Sequence, residues 1–240
     1  MFAYYGSKVQ LTQHGFYPRP QFATVVECFA GAAGYSMTNL RWLRRVVLVE
    51  KDNRVAALWR RLLSMEPSEL LELRVPEAGE RTTDFLLMCL SASQGVARSR
   101  SLIVNPRMRE LAPAALRRMA EILPEAQAKI EVIEGDYTLA PDIEATFFVD
   151  PPYSDQRARR GYADGCDAQA TDYGALAAWC KRRQGQVIVC EHMGAQWLPF
   201  ERLSSRLAGD RRFHAEAVWY GGIQDRRARL AAQRIAARLA

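Results

Sequence analysis

Thr146-Phe147-Phe148-Val149 runs directly into Asp150-Pro151-Pro152-Tyr153, and the reading of these eight residues decides the architecture of the chain. Four consecutive β-branched or aromatic residues suit a strand buried on both faces, as in a parallel sheet covered by helices. The prolines cannot extend that strand, because each fixes φ and removes an N–H from the ladder. The strand therefore ends at Asp150, and in an open α/β sheet ligands bind at that carboxyl edge. A carboxylate and neighbouring carbonyl oxygens there accept hydrogen bonds from an exocyclic amine, the prolines stiffen the turn, and the tyrosine offers a ring face to a planar partner. A proline turn capped by a solvated aspartate accounts for the same residues without chemistry.

Outward from this run, short β-rich segments alternate with helical ones. Strands are predicted at Thr24 to Phe29, Val46 to Glu50, Ile130 to Ile133, Gln186 to Cys190 and Ala217 to Tyr220, and helices at Arg54 to Leu63 and Tyr173 to Arg183. This order predicts an α/β fold with a mostly parallel, doubly wound, Rossmann-like sheet.

The first strand opens into Phe29-Ala30-Gly31-Ala32-Ala33-Gly34, where glycines allow backbone to approach a ligand closely. A plain turn reads the same way. One strand-helix-strand unit later, Glu50 ends the second strand, where an acid accepts both hydroxyls of a ribose; alternatively it is a helix-start acid paired with the macrodipole. The third strand ends in Glu134-Gly135-Asp136-Tyr137, either a further carboxylate on the same edge or a Gly-Asp turn. Tyr137, His192 and His214 receive no role.

Strand followed by Asp-Pro-Pro-Tyr resembles the catalytic motif of the S-adenosylmethionine-dependent methyltransferases that modify adenine N6 in DNA, those of the Dam type. The resemblance implies a class I methyltransferase fold in which Asp150, Pro151, Pro152 and Tyr153 hold a flipped-out adenine, with Asp150 also touching the cofactor. It implies that Phe29, Gly31 and Gly34 cradle S-adenosylmethionine, that Glu50 binds its ribose, and that Asp136 accepts from its adenine amine. Tyr4-Tyr5-Gly6-Ser7-Lys8 is similar to the segment that opens such enzymes, which places Tyr5 and Lys8 at the methionine end. Motif order then assigns 1–61 and 124–240 to the catalytic domain and 62–123 to a small helical insert for target recognition. That insert is punctuated by Pro67, Pro76, Pro106, Pro113 and Pro124, which predicts several short helices and a loop from Ser91 to Arg109.

The chain has 240 residues, 49% of them hydrophobic, enough for one substantial core. Its net charge is +6, carried almost wholly by arginine, since lysine occurs only at Lys8, Lys51, Lys129 and Lys181. Arginine forks onto phosphates and stacks on bases, which suits a polyanionic partner; the resemblance implies that this partner is DNA, in duplex form. Arg98, Arg100 and Arg107 in the insert, with Arg157, Arg160 and Tyr162 after the catalytic motif, are the residues expected to contact it. The Arg/Ala-rich segment Asp225 to Ala240 predicts a basic helix that runs along DNA or packs on a second subunit in a homodimer.

No apolar stretch has membrane-spanning length, the N-terminus lacks a signal pattern, and five scattered cysteines suit reduced thiols, so a cytoplasmic location is expected, in a bacterial or phage setting near the nucleoid. No metal is expected. The expected activity is site-specific DNA adenine-N6 methylation. Adenine in RNA, cytosine N4 (which Asp at 150 in place of Ser disfavours) and a catalytically inactive nucleic-acid-binding regulator are the alternatives.

Overall fold

The computed structural model describes residues 2, 6–91, 99–154, 162–163, 165–203 and 216–222. Tyr5, Arg98, Arg157, Arg160 and the C-terminal basic segment lie outside the described residues.

The elements follow in the order α1 (Val9–Gln13), β1 (Thr24–Cys28), α2 (Gly34–Asn39), β2 (Arg45–Glu50), α3 (Asn53–Ser64), α4 (Pro67–Glu72), β3 (Arg81–Thr82), α5 (Phe85–Ser91), β4 (Leu102–Ile103), α6 (Pro106–Lys129), β5 (Ile130–Glu134), β6 (Ala145–Val149), α7 (Tyr173–Lys181), β7 (Gly185–His192), β8 (Glu201–Arg202) and β9 (Glu216–Gly222). Seven strands form one sheet in the order β5-β2-β1-β6-β7-β9-β8, with β3 and β4 as a separate antiparallel pair. The first five in that order are parallel, while β9 runs antiparallel to β7 and β8 antiparallel to β9. The chain is thus α/β and doubly wound, as the alternation of its segments predicts.

All five residues of β6 are buried, as are five of six in β2, which is why these strands read as unbroken apolar runs. Pairing places Val25 beside Val46 and Val26 beside Phe147. Alternate residues feed two core layers. Val25, Leu48, Phe148 and Ile188 pack with Phe16, Tyr35 and Trp59 on one face, and Val26, Val47, Phe147 and Val187 with Leu176 and Trp179 on the other. From β1 the chain proceeds outward through β2 to β5 and then crosses back to β6, so the topological switch lies between β1 and β6. Their carboxyl ends open a crevice there.

Helix starts obey local rules. Asp52 caps α3 by accepting from Arg54 N at 3.0 Å, Asn105 caps α6 through Met108 N at 2.8 Å, and Asp172 caps α7 through Ala175 N at 3.0 Å.

The prolines of the insert do less than the sequence suggests. Pro106 begins α6, but Pro113 and Pro124 lie inside it, and its 24 residues continue past position 124. The buried stripe Met108, Ala112, Leu116, Met119, Ala120, Leu123 and Ala126 outweighs them. Burying each of the four large side chains stabilises by roughly 1.5–3 kcal/mol, against about 3 kcal/mol for each interior proline. Leu70, Leu86, Met88, Leu116 and Met119 share one core with Val25 and Phe148, so residues of the 62–123 segment pack continuously with the sheet. No helix among the described residues is long and apolar enough to cross a membrane.

Candidate active site

The loop after β1 is shaped by three left-handed residues, Phe29 (φ 58°), Gly31 (φ 49°) and Ala33 (φ 50°). Gly31 adopts that conformation without cost, whereas Phe29 and Ala33 need the surroundings to hold them there. Glu50 Oε2 accepts from Gly31 N at 2.7 Å, Trp59 Nε1 donates to Gly31 O at 2.7 Å, and Ala33 N donates to Ala30 O at 2.6 Å. Glu50 Oε1 accepts from Asp52 N at 2.8 Å. Burial pushes the Glu50 carboxyl up to about 7, although the Gly31 and Asp52 amides favour its ionised form.

A second buried carboxylate stands behind the loop. Glu27, on β1, accepts from Ser36 N at 2.8 Å and Tyr35 N at 3.4 Å, holding the first turn of α2. Burial raises it to about 7 as well, against the pull of its Ser36 and Tyr35 hydrogen bonds. Gly34, at the start of α2, is required by packing: a Cβ there would lie 2.9 Å from Val9 N and 3.2 Å from Lys8 N. The glycine thereby seats the backbone of Lys8 against the loop.

Lys8 is 5% exposed. Its Nζ donates to Gly6 O at 2.8 Å, lies 2.9 Å from Asp150 Oδ1, and stands 4.9 Å from the centroid of the Tyr153 ring. Burial works against its ammonium, yet Asp150 and then Glu216 raise its pKa above the ordinary lysine value. Asp150, immediately after β6, is raised to about 6 by burial, which outweighs the opposing pull of Lys8. Its Oδ1 is buried and receives no aligned hydrogen bond, so the close contact with Lys8 is an ion pair. The 18% exposure of the Asp150 side chain therefore falls on its other atoms.

The rest of the motif is pinned from outside. Tyr173 Oη donates to Pro152 O at 2.6 Å, and the Tyr153 hydroxyl donates to Glu216 on β9. The following residue is held by Glu191, fully buried on β7, which accepts from Ser154 N at 3.1 Å, His192 N at 2.9 Å and Trp197 Nε1 at 2.8 Å. His192 pairs its Nε2 with Ser154 Oγ at 3.3 Å and its Nδ1 with Met193 O at 2.7 Å. Past β5, Asp136 accepts from Thr138 N at 3.2 Å and starts a short 3-10 turn. In that turn Tyr137 stacks on Phe29 with ring centroids 5.8 Å apart.

These segments enclose one cleft at the carboxyl edge. Of the residues predicted from sequence, Lys8, Phe29, Gly31, Gly34, Glu50, Asp136, Asp150, Pro152 and Tyr162 line it. Pro151 and Tyr153 are not part of its lining; Pro151 is buried, and the partly buried Tyr153 ring packs on the core. Arg100 and Arg107 are exposed and stand away from the cleft lining. Glu27, Lys51, Tyr137, Cys166 and Asp172, to which no motif points, also line the cleft, and Glu191 and Glu216 hold Ser154 and Tyr153 of the wall. Glu27 carried a signal: a lone acid within an otherwise apolar strand needs a buried partner. Glu216 carried none, since only the pairing of β9 with β7 brings it beside Tyr153. Among the described residues no group of His, Cys, Asp or Glu is arranged to hold a metal ion.

No protein-family model and no curated protein matches the chain. Solved structures that overlap it include a conserved hypothetical protein of Streptococcus pyogenes (15% identity, 83% of this chain and 86% of that chain, TM-score 0.36). A provisionally assigned methylase of Haemophilus influenzae overlaps at 12% identity, covering 91% and 88% of the two chains, with TM-score 0.39. The rRNA methyltransferase aviRa of Streptomyces viridochromogenes overlaps at 19% identity, covering 82% and 75%, with TM-score 0.39. Likeness at this level leaves the functional reading to the chain's own residues.

Proposed function

We propose that this chain transfers a methyl group from S-adenosylmethionine to the N6 amine of adenine in DNA. The observation that carries the proposal is that Asp150 and Pro152 of the strand-end motif line the same cleft as Gly31, Glu50 and Asp136. An amine grip and an adenosine-sized set of acceptors share one space.

The donor set suits that cofactor. Each Glu50 oxygen accepts one backbone N–H, and a carboxylate has about four lone-pair sites in all, so acceptor capacity is left for two ribose hydroxyls. Asp136 suits an exocyclic adenine amine, and the stacked Phe29 and Tyr137 rings provide an apolar wall for a planar base. Lys8 is committed to Asp150 and the Gly6 carbonyl, so the resemblance-based role at the methionine carboxylate would have to share its ammonium. When bound, S-adenosylmethionine supplies an electrophilic methyl group on a sulfonium.

The chain's residues supply position and charge. The adenine N6 lone pair is delocalised into its ring, and hydrogen bonds from the amine to the Asp150 carboxylate and a backbone carbonyl of the motif favour a more localised, nucleophilic nitrogen. Positive charge develops on N6 as the bond from the methyl group to sulfur breaks, next to a preorganised carboxylate, and N6 afterwards loses a proton to solvent. A duplex target must first be flipped out, because the amine is otherwise paired within the stack. The exposed Arg100 and Arg107, with Arg98, Arg157 and Arg160 outside the described residues, are assigned to phosphate contacts, and Tyr162 on the cleft rim to the extruded nucleotide.

The test is incubation with methyl-labelled cofactor and separate DNA and RNA pools, followed by digestion to nucleosides. Labelled N6-methyladenine from DNA is expected. Label in RNA alone, or in N4-methylcytosine, overturns the substrate assignment.

A further inference from the structure

The groups that act on Asp150 come from every element packed around it. Lys8 approaches from the segment before α1, Glu27 from β1, Cys190 from β7 and Glu216 from β9, with Tyr17 and Tyr153 alongside. Burial raises the pKa of Tyr17, Tyr153 and Cys190 well above their ordinary values, so these three stay neutral near pH 7. Among these described groups Lys8 is the one cation, and its contact with Asp150 is direct, at 2.9 Å. Glu216 is the acid that acts on both members of the pair, and it also accepts the Tyr153 hydroxyl. The ring anchored in this way lies under the Lys8 ammonium. Carboxylate, ammonium, aromatic ring and second carboxylate thus form one connected cluster that reaches the cleft through Lys8 and Asp150.

We propose that Lys8 and Glu216 are opposed positioning residues for Asp150: Lys8 holds Oδ1 and keeps the carboxylate ionised, leaving Oδ2 for the incoming amine, while Glu216 moderates that hold and fixes the tyrosine under the ammonium. This rests on the assignment of Asp150 as the amine acceptor. It departs from a role for Lys8 in holding cofactor, because the ion pair forms within the protein itself.

The cluster explains how a buried acid can remain an acceptor at neutral pH. Desolvation alone favours the protonated form, which would present a hydrogen to the amine in place of a lone pair. Lys8 opposes that, and Gly34 provides the room its backbone needs. An ammonium facing Asp150 alone would hold the carboxylate tightly and weaken it as an acceptor for substrate. The second carboxylate shares the ammonium's field and reduces that effect.

The experiment is a carbon-13 NMR titration of aspartate carboxylates in the full chain, with the Asp150 signal assigned by its loss in Asp150→Asn. It is repeated for Lys8→Met, Lys8→Arg, Glu216→Gln and Tyr153→Phe. Lys8→Met is expected to raise the Asp150 midpoint by about one to three pH units, the range for loss of an adjacent opposite charge, and Lys8→Arg to restore most of it. Glu216→Gln is expected to lower the midpoint. Tyr153→Phe is expected to leave the midpoint close to that of the unsubstituted chain while reducing single-turnover methyl transfer, which separates positioning from charge. An unchanged midpoint in folded Lys8→Met and Glu216→Gln proteins, or shifts of the same sign in the two, overturns the proposal. Opposite shifts in a chain that transfers no methyl group uphold the cluster and overturn the proposed function.

Discussion

Glu50 Oε2 accepts the Gly31 amide hydrogen at 2.7 Å, so the end of β2 holds the loop that leaves β1. The other oxygen holds Asp52 N, and through it the start of α3. The carboxylate proposed for ribose binding is therefore also what shapes the glycine loop. Glu50→Ala removes both backbone contacts and the proposed hydroxyl contacts. Since hydrogen bonds to a charged group contribute about 1.5–3 kcal/mol, affinity for S-adenosylmethionine and for its demethylated product should fall by roughly one to two orders of magnitude. Glu50→Gln, which keeps an acceptor, should fall between. Calorimetry on folded proteins decides it, and unchanged affinity in Glu50→Ala removes Glu50 from the site.

Gly34→Ala tests the contact between α2 and the N-terminal segment. The added methyl would meet backbone atoms of Val9 and Lys8 at 2.9 and 3.2 Å, which cannot swing aside as a side-chain tip does. Overpacking of this kind costs about 1–3 kcal/mol. The variant should unfold at lower denaturant and, because Lys8 moves with the segment, lose methyl transfer by a larger factor than it loses cofactor affinity. Stability equal to that of the unsubstituted chain would mean that the segment yields freely.

Glu27 makes a stability prediction with a definite sign. Its carboxyl lies near 4.5 in an unfolded chain and is pushed up to about 7 by burial in the folded one. Between those values the folded state binds more protons than the unfolded state, so the contribution of Glu27 falls as pH rises from about 4.5 to about 7 and is level above. Glu27→Gln retains an acceptor for the Ser36 amide and removes the titration. Its stability relative to the unsubstituted chain should thus improve as pH rises through that window. A constant difference between the two proteins from pH 4.5 to 8 would show that Glu27 does not titrate there.

The sheet was legible because its parallel strands are buried on both faces. Thr146 to Val149 and Val46 to Glu50 read as apolar runs with clean stops, and each stop carried the acid that lines the cleft. Pairings made across the fold were not legible. Lys8 and Asp150 are 142 residues apart, and Tyr153, past the end of β6, is 63 residues from Glu216 on β9, so no local pattern joins them. Proline misled for an opposite reason: at Pro113 and Pro124 the buried stripe of α6 outweighs the local cost. Motif order carries no information on rotamers, and the Tyr153 ring packs on the core.

Arg100 and Arg107 are exposed on the 62–123 segment. If they bind phosphates, replacing both with alanine should reduce the slope of log affinity against log salt by about two, since each neutralised phosphate contributes about 0.9. Fluorescence anisotropy with duplex DNA across a salt series measures the slope. An unaltered slope removes both residues from the nucleic-acid surface.

Asp150→Ala separates chemistry from binding. The cofactor is assigned chiefly to the loop after β1 and the ends of β2 and β5, whereas Asp150 holds the amine, so binding of S-adenosylmethionine should persist when the carboxylate is lost. Methyl transfer should not persist, because the group that localises the N6 lone pair and faces the developing charge is gone. Removing one preorganised electrostatic partner typically lowers a rate about a hundredfold to a thousandfold. In the unsubstituted chain the same carboxylate sets a pH limit. Burial raises Asp150 to about 6, and only its ionised form both pairs with the Lys8 ammonium and accepts from the amine, so single-turnover transfer should rise with pH through about 6 and level off above it. Single-turnover methylation of duplex DNA across pH 5 to 8, with the product digested to nucleosides, measures both effects. Near-normal transfer by Asp150→Ala in a folded protein would show that the amine is held elsewhere, and a rate independent of pH across that range would show that Asp150 does not titrate in the step observed.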